Sequence, residues 1–227
     1  MTTKLQVEYG ELIYSNPLAG PSDTSNFIME GDGAVSFPMG RMRLESTRDP
    51  QEGQAANVVY WCPETLPDRI AVRWNFWPVR QPGLAILFFS AAGREGQDLF
   101  DPSLNRRVGI YDQYHSGDIN AYHVSYFRKS YSSERRLQTC NLRKSCGFHL
   151  VAQGADPIPH IDHCEPPYRI ELVKNGADIA FFVDGLQLFH YVDDGTTYGP
   201  VLGGGKIGFR QMSPLIAEYS DLQVFEI

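Results

Sequence analysis

The chain has 227 residues and a net charge of −7, and its 20 Lys and Arg residues are dispersed along the sequence. It therefore lacks the electrostatic footprint of a protein that binds nucleic acid. Because it shows neither a leader-like apolar segment nor a run of about 18 apolar residues, we expect no membrane span and a cytoplasmic location.

Length and composition also bear on the fold. No linker-like block interrupts the sequence, so we expect one domain spanning residues 1–227. The 21 Gly and 15 Pro residues are scattered between apolar runs, which is typical of an all-β protein rich in turns. Cys62, Cys140, Cys146 and Cys164 form no CxxC pair, so free thiols are expected, with a Cys140 to Cys146 bridge only in an oxidising compartment.

The first part of the chain predicts short strands followed by longer apolar ones. Short strands are expected over residues 5–14, 27–30, 34–37 and 41–45. Three strongly apolar segments, NVVYW, RIAVRWNFW and GLAILFFS, then follow between turns that contain proline. We expect these three to be central strands.

The middle apolar segment has two different faces. Its alternation places Ile70, Val72, Trp74 and Phe76 on a core face. Its other face carries Arg73 and Trp77, which could hydrogen-bond sugar hydroxyls and stack on a sugar ring. An ordinary solvated strand with Trp77 half-buried is an equally open interpretation.

A long irregular segment, residues 91–118, comes next and runs into the strand INAYHVSYFRK. Loops of this length within a domain are often functional. The segment supplies Arg107, Tyr111, His115 and Asp118, which could bind an anionic or hydroxyl-rich ligand. The strand places Tyr122, Val124, Tyr126 and Arg128 on one face and His123, Ser125 and Phe127 on the other. A half-buried strand whose tyrosines border the core is the competing interpretation.

The last third of the chain contains the clearest hairpin signals. The segment 131–154 is basic and irregular, and its secondary structure is left open. The run DPIPHIDHCEPPY gathers His160, His163 and Cys164 but lacks the spacing of a zinc site, so a solvated loop is expected. Asn175-Gly176 and Asp184-Gly185 then join three alternating strands over residues 168–192 into an antiparallel meander. Strands at GKIGFRQ and AEYSDLQVFEI complete the chain.

About a dozen strands without a clear helix predict two packed antiparallel sheets, that is, an all-β two-layer sandwich. The order of the final strands resembles that of concanavalin A-like jelly rolls. The strings FDPSLNRR, YHSGDIN, SYFRKSY, TCNLRKS, GADP, DDGTTYGPVL and GKIGFRQM together resemble the YesU-like family of uncharacterised bacterial proteins, over essentially the whole chain. This resemblance implies a jelly roll, a cytoplasmic location and a link to the breakdown of polysaccharides such as rhamnogalacturonan. It carries over no catalytic residues.

Two enzyme signatures of related jelly rolls can be tested directly. The ExDxxE strand of laminarinase-like hydrolases begins at Glu30-Gly31-Asp32, but Val35 stands where its last acid belongs. A retaining hydrolase needs two carboxylates about 5 Å apart, so this mechanism is not expected. The QIH or QVH and YxKxGxYxQ signatures of alginate lyase-like proteins are also missing. A lyase nevertheless needs only a Tyr or His base and groups that stabilise the enediolate.

Three hypotheses follow: a lyase acting on uronate-containing oligosaccharides, a lectin-like module that only binds them, and a purely structural jelly roll. The expected ligand is an oligosaccharide, no cofactor is expected, and a structural Ca²⁺ and the oligomeric state are left open. The observation that would best separate these hypotheses is whether His115, Tyr126 and Arg128 line one cleft with Arg73 and Trp77. The candidate catalytic residues are His115, Tyr126 and Arg128, and the candidate substrate-binding residues are Arg73, Trp77, Arg107, Tyr111, Asp118, Tyr122, His123 and Arg210.

Overall fold

Strands form where the sequence alternates, and turns form at its Gly, Pro, Asn and Asp residues. The structure, a computed structural model, describes residues 5–129, 131 and 138–227. The strands in these ranges are β1 (Leu12–Asn16), β2 (Ile28–Glu30), β3 (Gly33–Ser36), β4 (Met42–Ser46), β5 (Val58–Trp61), β6 (Ile70–Arg80), β7 (Gly83–Gly93), β8 (Ile119–Lys129), β9 (Thr139–Ser145), β10 (His149–Ala155), β11 (Tyr168–Asn175), β12 (Asp178–Val183), β13 (Leu186–Val192), β14 (Lys206–Met212) and β15 (Ile216–Glu226). The helical turns are α1 (Asp112–His115) and the 3₁₀ turns Pro38–Gly40, Pro50–Ala56 and Ile161–His163.

The strands form two antiparallel sheets. Sheet A has the order β13-β12-β11-β6-β15-β4-β3, with β1 also paired to β15. Sheet B has the order β10-β9-β8-β7-β14-β5-β2. This confirms the predicted all-β two-layer sandwich. Residues 5–9, predicted as part of the first strand, instead lie along the outer face of sheet A, where Leu5 and Val7 contact Phe182 and its apolar neighbours.

The meander β11-β12-β13 is confirmed within sheet A. Its two turns contain Gly176 and Gly185, which have φ values of 59° and 76°. Glycine accepts this left-handed conformation without steric cost, and so each turn can follow the twist of its strands.

The core lies between the two sheets. Its packing shows that the two faces of β6 are predicted correctly. Trp74 and Phe76 pack there against Tyr126 of β8, with ring centroids 6.0 and 5.1 Å apart. Arg73 and Trp77 point to the opposite, outer face of sheet A and are partly exposed. The alternation of residues along this strand therefore indicates which face is buried and which face meets solvent.

A second apolar cluster lies on the outer face of sheet B. The segment 94–118 crosses this face, and its Leu99 and Tyr114 pack on Trp61 and Phe88. The close approach depends on Gly109, which has a φ of 90° and lies against the Asn57 carbonyl, where a Cβ atom would clash. The segment thus buries one half of the outer face, over β5, β14, β7 and the beginning of β8.

The four lysines in the described part of the chain are all buried and ion-paired. Lys144 Nζ lies 2.7 Å from Asp193, and Lys129 Nζ lies 3.3 Å from Asp156. Lys206 pairs with Asp98 at 3.0 Å, and Lys174 pairs with Asp68. Each ammonium group also donates to a backbone carbonyl, at Gly199, Ile158, Pro63 and Gly176 respectively. These lysines therefore fix loops at the ends of the sandwich.

Candidate functional site

The candidate residues do not line one cleft. They divide among three regions: the core between the sheets, the outer face of sheet A and the outer face of sheet B. The reason is the period of a strand, since neighbouring residues point to opposite faces. Tyr122 and Tyr126 lie in the core, Arg73 and Trp77 lie on sheet A, and Arg107, Tyr111, His115, Asp118, His123 and Arg210 lie on or above sheet B.

Tyr126 is corrected from a candidate catalytic residue to a core residue. Its side chain is 0% exposed, and its hydroxyl accepts a hydrogen bond from the Trp74 indole at 3.3 Å. Burial raises its pKa well above the usual value of tyrosine. Tyr122 is also enclosed in the core, where its hydroxyl donates to Asp193 and accepts from the Leu202 amide at 3.2 Å. Neither phenol can reach a bound ligand.

Arg128 is separated from the other two candidate catalytic residues by a break in the alternation of β8. Phe127 has a φ of 50° and joins Tyr126 in the core cluster, so two consecutive residues face inward. The Arg128 side chain, beyond this break, is partly buried. The predicted Tyr126 and Arg128 pair on one strand face is therefore wrong.

The two candidates on sheet A make contacts of their own. Arg73 Nε donates to Glu171 at 2.7 Å, and its guanidinium lies 3.9 Å from the centre of the Tyr9 ring. Trp77 lies under the guanidinium of Arg41, at 4.7 Å. These residues belong to a surface on the far side of the molecule from His115.

The outer face of sheet B has an open half, over β9 and β10, that the segment 94–118 leaves uncovered. His123 and Ser125 of the adjoining β8 are buried at its edge. Strand register places polar residues side by side there. Ser125 lies opposite Asn141, which lies opposite Gln153, and His123 lies opposite Arg143. Gln153 donates to Asn141 across the strands at 2.8 Å. This row of amides and a guanidinium offers hydrogen bonds to a ligand lying across the strands.

An aromatic cluster borders the open half. Helix α1 is a single turn, held by Tyr114, whose hydroxyl accepts from the Gly109 amide at 3.0 Å. This turn places Tyr111 and His115 beside Phe148, which lies in the β9-β10 turn. The ring centroids are 5.5 Å apart for Tyr111 and Phe148 and 4.8 Å apart for His115 and Phe148. Phe148 is 49% exposed, so an apolar ring faces solvent at this border.

Tyr111 and His123 form a hydrogen-bonded pair beneath this border. The Tyr111 hydroxyl lies 2.6 Å from His123 Nε2. Burial lowers the pKa of His123 to about 3, and Arg143, Arg210 and His115 act in the same direction. The imidazole is therefore neutral at pH 7. Burial raises the pKa of Tyr111 to about 12, although the two arginines oppose that rise, so its phenol is protonated at neutral pH.

Arg210 is a buried cation without a carboxylate partner among the described residues. It is 0% exposed, and it donates to the Gly109 carbonyl at 2.7 Å and to Gln54 at 3.2 Å. Its guanidinium lies 4.8 Å from the Tyr111 ring centre, and its Nε has no partner in the described part of the chain. Burial lowers its pKa, but a guanidinium remains charged at pH 7. Arg210 therefore adds positive potential beneath the border.

Two further candidates have structural roles. Arg107 is buried and pairs with Glu30 at 2.9 Å, and Glu30 also accepts from the Trp61 indole at 2.9 Å. Asp118 accepts from the backbone and side-chain amides of Asn105, at 2.6 and 2.9 Å, and so closes the segment 94–118 on itself. The carboxylate of Asp118 is thus engaged within the protein.

His115 keeps an accessible position. Its side chain is 14% exposed, its Nε2 lies 3.0 Å from Asp112, and its Nδ1 lies 2.7 Å from the Ser116 hydroxyl. These two contacts fix the plane of the ring against Phe148. They also engage both ring nitrogens within the protein.

Arg143, Phe148, Asn141 and Gln153 are absent from the residues predicted as a site. They lie in the segment 131–154, which has no clear secondary structure in the sequence. The alternation of Asn141 and Arg143 within TCNLRKS was the available signal, because it places both on one strand face.

The cysteine and histidine residues show no metal-binding geometry in the described ranges. All four cysteines are free. His160 contacts Asp162 at 3.2 Å, whereas Cys164 donates to the Pro159 carbonyl at 3.3 Å, so the DPIPHIDHCEPPY side chains diverge. No group of three metal-ligating side chains occurs among the described residues. Separately, no helix in that part of the chain is long and apolar enough to cross a membrane.

Comparison with known proteins gives the family. Residues 11–224 match the domain of unknown function DUF1961. The uncharacterized protein YesU of Bacillus subtilis (strain 168) is 52% identical over 217 residues, which cover 96% of each chain. A crystal structure from Bacillus subtilis, described as a protein of unknown function with a galectin-like fold, has a TM-score of 0.92 at 52% identity and covers 96% of this chain and 97% of its own.

More distant structures share the fold alone. The carbohydrate recognition domain of Emp46p has a TM-score of 0.61 at 12% identity, with 93% of this chain and 96% of its own covered. The carbohydrate-binding module CBM66 of Bacillus subtilis has a TM-score of 0.55 at 9% identity, with 88% and 95% covered. The expected resemblance to YesU is confirmed: the chain belongs to the DUF1961 family and has a galectin-like jelly-roll fold.

Proposed function

We propose that the protein binds acidic oligosaccharides, of the uronate-containing kind found in pectin-like polysaccharides, on the open half of sheet B. The observation that carries this proposal is Arg143. Its guanidinium lies 3.8 Å from the centre of the exposed Phe148 ring and has no ion pair among the described residues. An arginine held in place by a ring and free of acids is suited to a ligand carboxylate, which it can bind through two hydrogen bonds.

The surroundings of Arg143 support a sugar as the carrier of that carboxylate. Phe148 and Tyr111 offer apolar ring surface for the C–H face of a sugar. Asn141 and Gln153 offer donors and acceptors for its hydroxyls. Arg210 makes the site locally positive in a chain whose net charge is −7. Similar folds in proteins named as carbohydrate recognition domains and carbohydrate-binding modules favour this ligand class over others.

A binding assay with matched variants tests the proposal. Calorimetry with oligogalacturonides is expected to give binding that weakens as salt increases, because the carboxylates meet cations. Arg143→Gln should weaken binding by about 10- to 100-fold, the usual effect of losing a hydrogen bond to a charged group. Arg69→Gln, which removes an exposed arginine at the start of β6, is the control and should leave the affinity unchanged. Equal effects of the two variants, or no binding to any uronate glycan, would reject the site.

The Tyr111, His115 and Arg143 arrangement favours β-elimination as a second candidate function. In this reaction the carboxyl group is held by Arg143. His115, once its Nε2 has exchanged the exposed Asp112 for the substrate, takes the proton from the carbon next to that carboxyl group. A carbon–carbon double bond then forms as the adjacent carbon–oxygen bond breaks, and Tyr111 donates its proton to the departing oxygen. The pKa of Tyr111, about 12, keeps the phenol protonated and thus able to donate at neutral pH.

The lyase candidate predicts new ultraviolet absorbance from the double bond conjugated to the carboxyl group. Tyr111→Phe and His115→Ala should each lower the rate by about 10² to 10⁴-fold. Tyr126→Phe is the matched control, since Tyr126 lies in the core, and it should leave the rate unchanged. If the protein binds oligosaccharides but no uronate substrate gives new absorbance, the lyase candidate is rejected and a lectin-like function remains.

A further inference from the structure

A cavity lies on the opposite side of the molecule from the open half of sheet B. It has a volume of about 810 Å³ and lies between residues 5–9 and the outer face of sheet A. Its floor is formed by β6, β11 and β12 and its rim by the β12-β13 turn at Asp184 and Gly185. We refer to it as the sheet A cavity.

The N-terminal segment forms one wall of the sheet A cavity through defined contacts. The Tyr9 hydroxyl donates to Glu171 at 2.7 Å, and the Tyr9 ring lies 5.7 Å from that of Phe225. The backbone amide of Leu5 donates to the Gln187 side chain at 2.8 Å. The cavity is therefore bounded by side chains with fixed positions, including an aromatic ring that is partly exposed.

The polar groups of the cavity include both donors and acceptors. Arg73 uses its Nε for Glu171 and leaves further N–H groups, while Arg169 is exposed and has no ion pair among the described residues. Asn75 lies opposite Arg169 on the floor, and its Nδ2 donates to Asp221 at 2.8 Å. A smaller cavity of about 340 Å³ shares Arg73, Asn75 and Arg169, and it extends the sheet A cavity along β6 towards Gln223. Together the two form a trough along the strand.

The charges of the trough differ from those of the open half of sheet B. Two arginines and three acids, Glu8, Glu171 and Asp184, line the sheet A cavity, and Arg73 is neutralised by Glu171. Among the described residues that line it, no cation is present in excess, so their charges do not favour an anion. Closely spaced donors and acceptors beside the Tyr9 and Phe182 rings match a polyhydroxylated, uncharged ligand with apolar C–H faces.

We propose that the sheet A cavity is a second binding site, specific for a neutral sugar unit and separate from the acidic-sugar site on sheet B. The volume suits one or two sugar rings. Arg169 donates to ring hydroxyls, the side-chain carbonyl of Asn75 and the carboxylate of Glu171 accept from them, and the Tyr9 ring covers a C–H face. Two sites on opposite faces would let one molecule hold two parts of a branched or heterogeneous polysaccharide.

Backbone amide NMR spectra of the whole chain test this proposal. The probes are the methyl glycosides of glucose, galactose, mannose and rhamnose, for which affinities on the order of millimolar are expected of ligands this small. At least one probe should shift the amide signals of Arg169, Asp184 and Gly185 in a saturable way. Arg169→Ala and Asn75→Ala should each weaken that binding by about tenfold, as loss of a hydrogen bond implies.

Arg143→Ala is the control that separates the two sites. It should leave the shifts at the sheet A cavity intact, whatever its effect on acidic oligosaccharides. Arg169 is exposed, so its variant tests the cavity without a change in folding, which a dispersed amide spectrum verifies. The proposal is overturned if no probe shifts the cavity signals, if shifts occur only near Gly147 and Phe148, or if they persist unchanged in both cavity variants.

Discussion

Replacement of Trp74 by alanine should lower the free energy of unfolding by about 3 to 5 kcal/mol, the usual range for removing a large buried aromatic side chain. Trp74 is 1% exposed and packs on Tyr126, Phe181 and Phe209, with ring centroids 5.8 to 6.4 Å apart. Alanine would leave a cavity between the sheets and remove the indole N–H that donates a hydrogen bond to the Tyr126 hydroxyl. Urea unfolding followed by circular dichroism measures the loss.

Trp77→Ala is the matched control, three residues along the same strand. Its ring is on the outer face of sheet A, partly exposed, and its defined partner is the guanidinium of Arg41. A cation–π contact at such a site contributes only about 0.5 to 1 kcal/mol, so the expected loss is small. Similar losses at the two positions would show that the outer face of β6 is buried in solution.

Removal of the Glu30 carboxylate should lower the free energy of unfolding by a similar amount, because a buried charge would lose its partner. Glu30 and Arg107 are 8% and 7% exposed, and Glu30 accepts hydrogen bonds from both Arg107 and the Trp61 indole. Glu30→Ala would leave a guanidinium buried without its counter-charge. Breaking a buried pair in this way costs about 3 to 5 kcal/mol, which thermal or urea unfolding would detect.

Two comparisons isolate that buried charge. Asp32, two residues along the chain from Glu30, forms an exposed pair with Arg48. Asp32→Ala breaks this pair and should lower the free energy of unfolding by less than about 1 kcal/mol. The double variant Glu30→Leu with Arg107→Leu removes both charges and should be more stable than Glu30→Ala alone. A double variant less stable than Glu30→Ala would contradict the electrostatic explanation.

The fold could be predicted because its signals are local. Asn175-Gly176 and Asp184-Gly185 fix two hairpins, since few residues other than Gly accept the backbone angles of such turns. The alternation from Ile70 to Trp77 fixes which side of β6 is buried. Both signals depend on a few neighbouring residues, and these suffice to place a strand and its inner face.

The candidate site was less predictable because it depends on what covers each outer face. Tyr126 and His123 lie on opposite faces of β8, and each is a residue type that occurs both in cores and in active sites. Only the packing of Trp74 on one side and of Tyr111 on the other shows which of them is near the border of the open half. The change of alternation at Phe127 also has no signal in the residue types.

Arg143 and Phe148 were missed for a different reason. Buried and partly exposed residues alternate in strand β9, but the strand is only seven residues long and its outward residues are polar. Its sequence therefore resembles that of a loop. Its pairing with β8 and β10, rather than its own composition, makes it a strand.

The four buried lysines give the folded molecule an unusual pattern of chemical reactivity. Their ammonium groups are held in ion pairs away from solvent, whereas the exposed cationic side chains of the described residues are those of arginines. Reagents that acylate amines will therefore label these four positions slowly in the native protein and quickly after unfolding. Their rate of modification reports how often the loops at the ends of the sandwich open. Immobilisation through any of these four amines would select molecules in which those loops have opened, whereas an affinity tag leaves the loops undisturbed when a sensor surface for glycan binding is prepared.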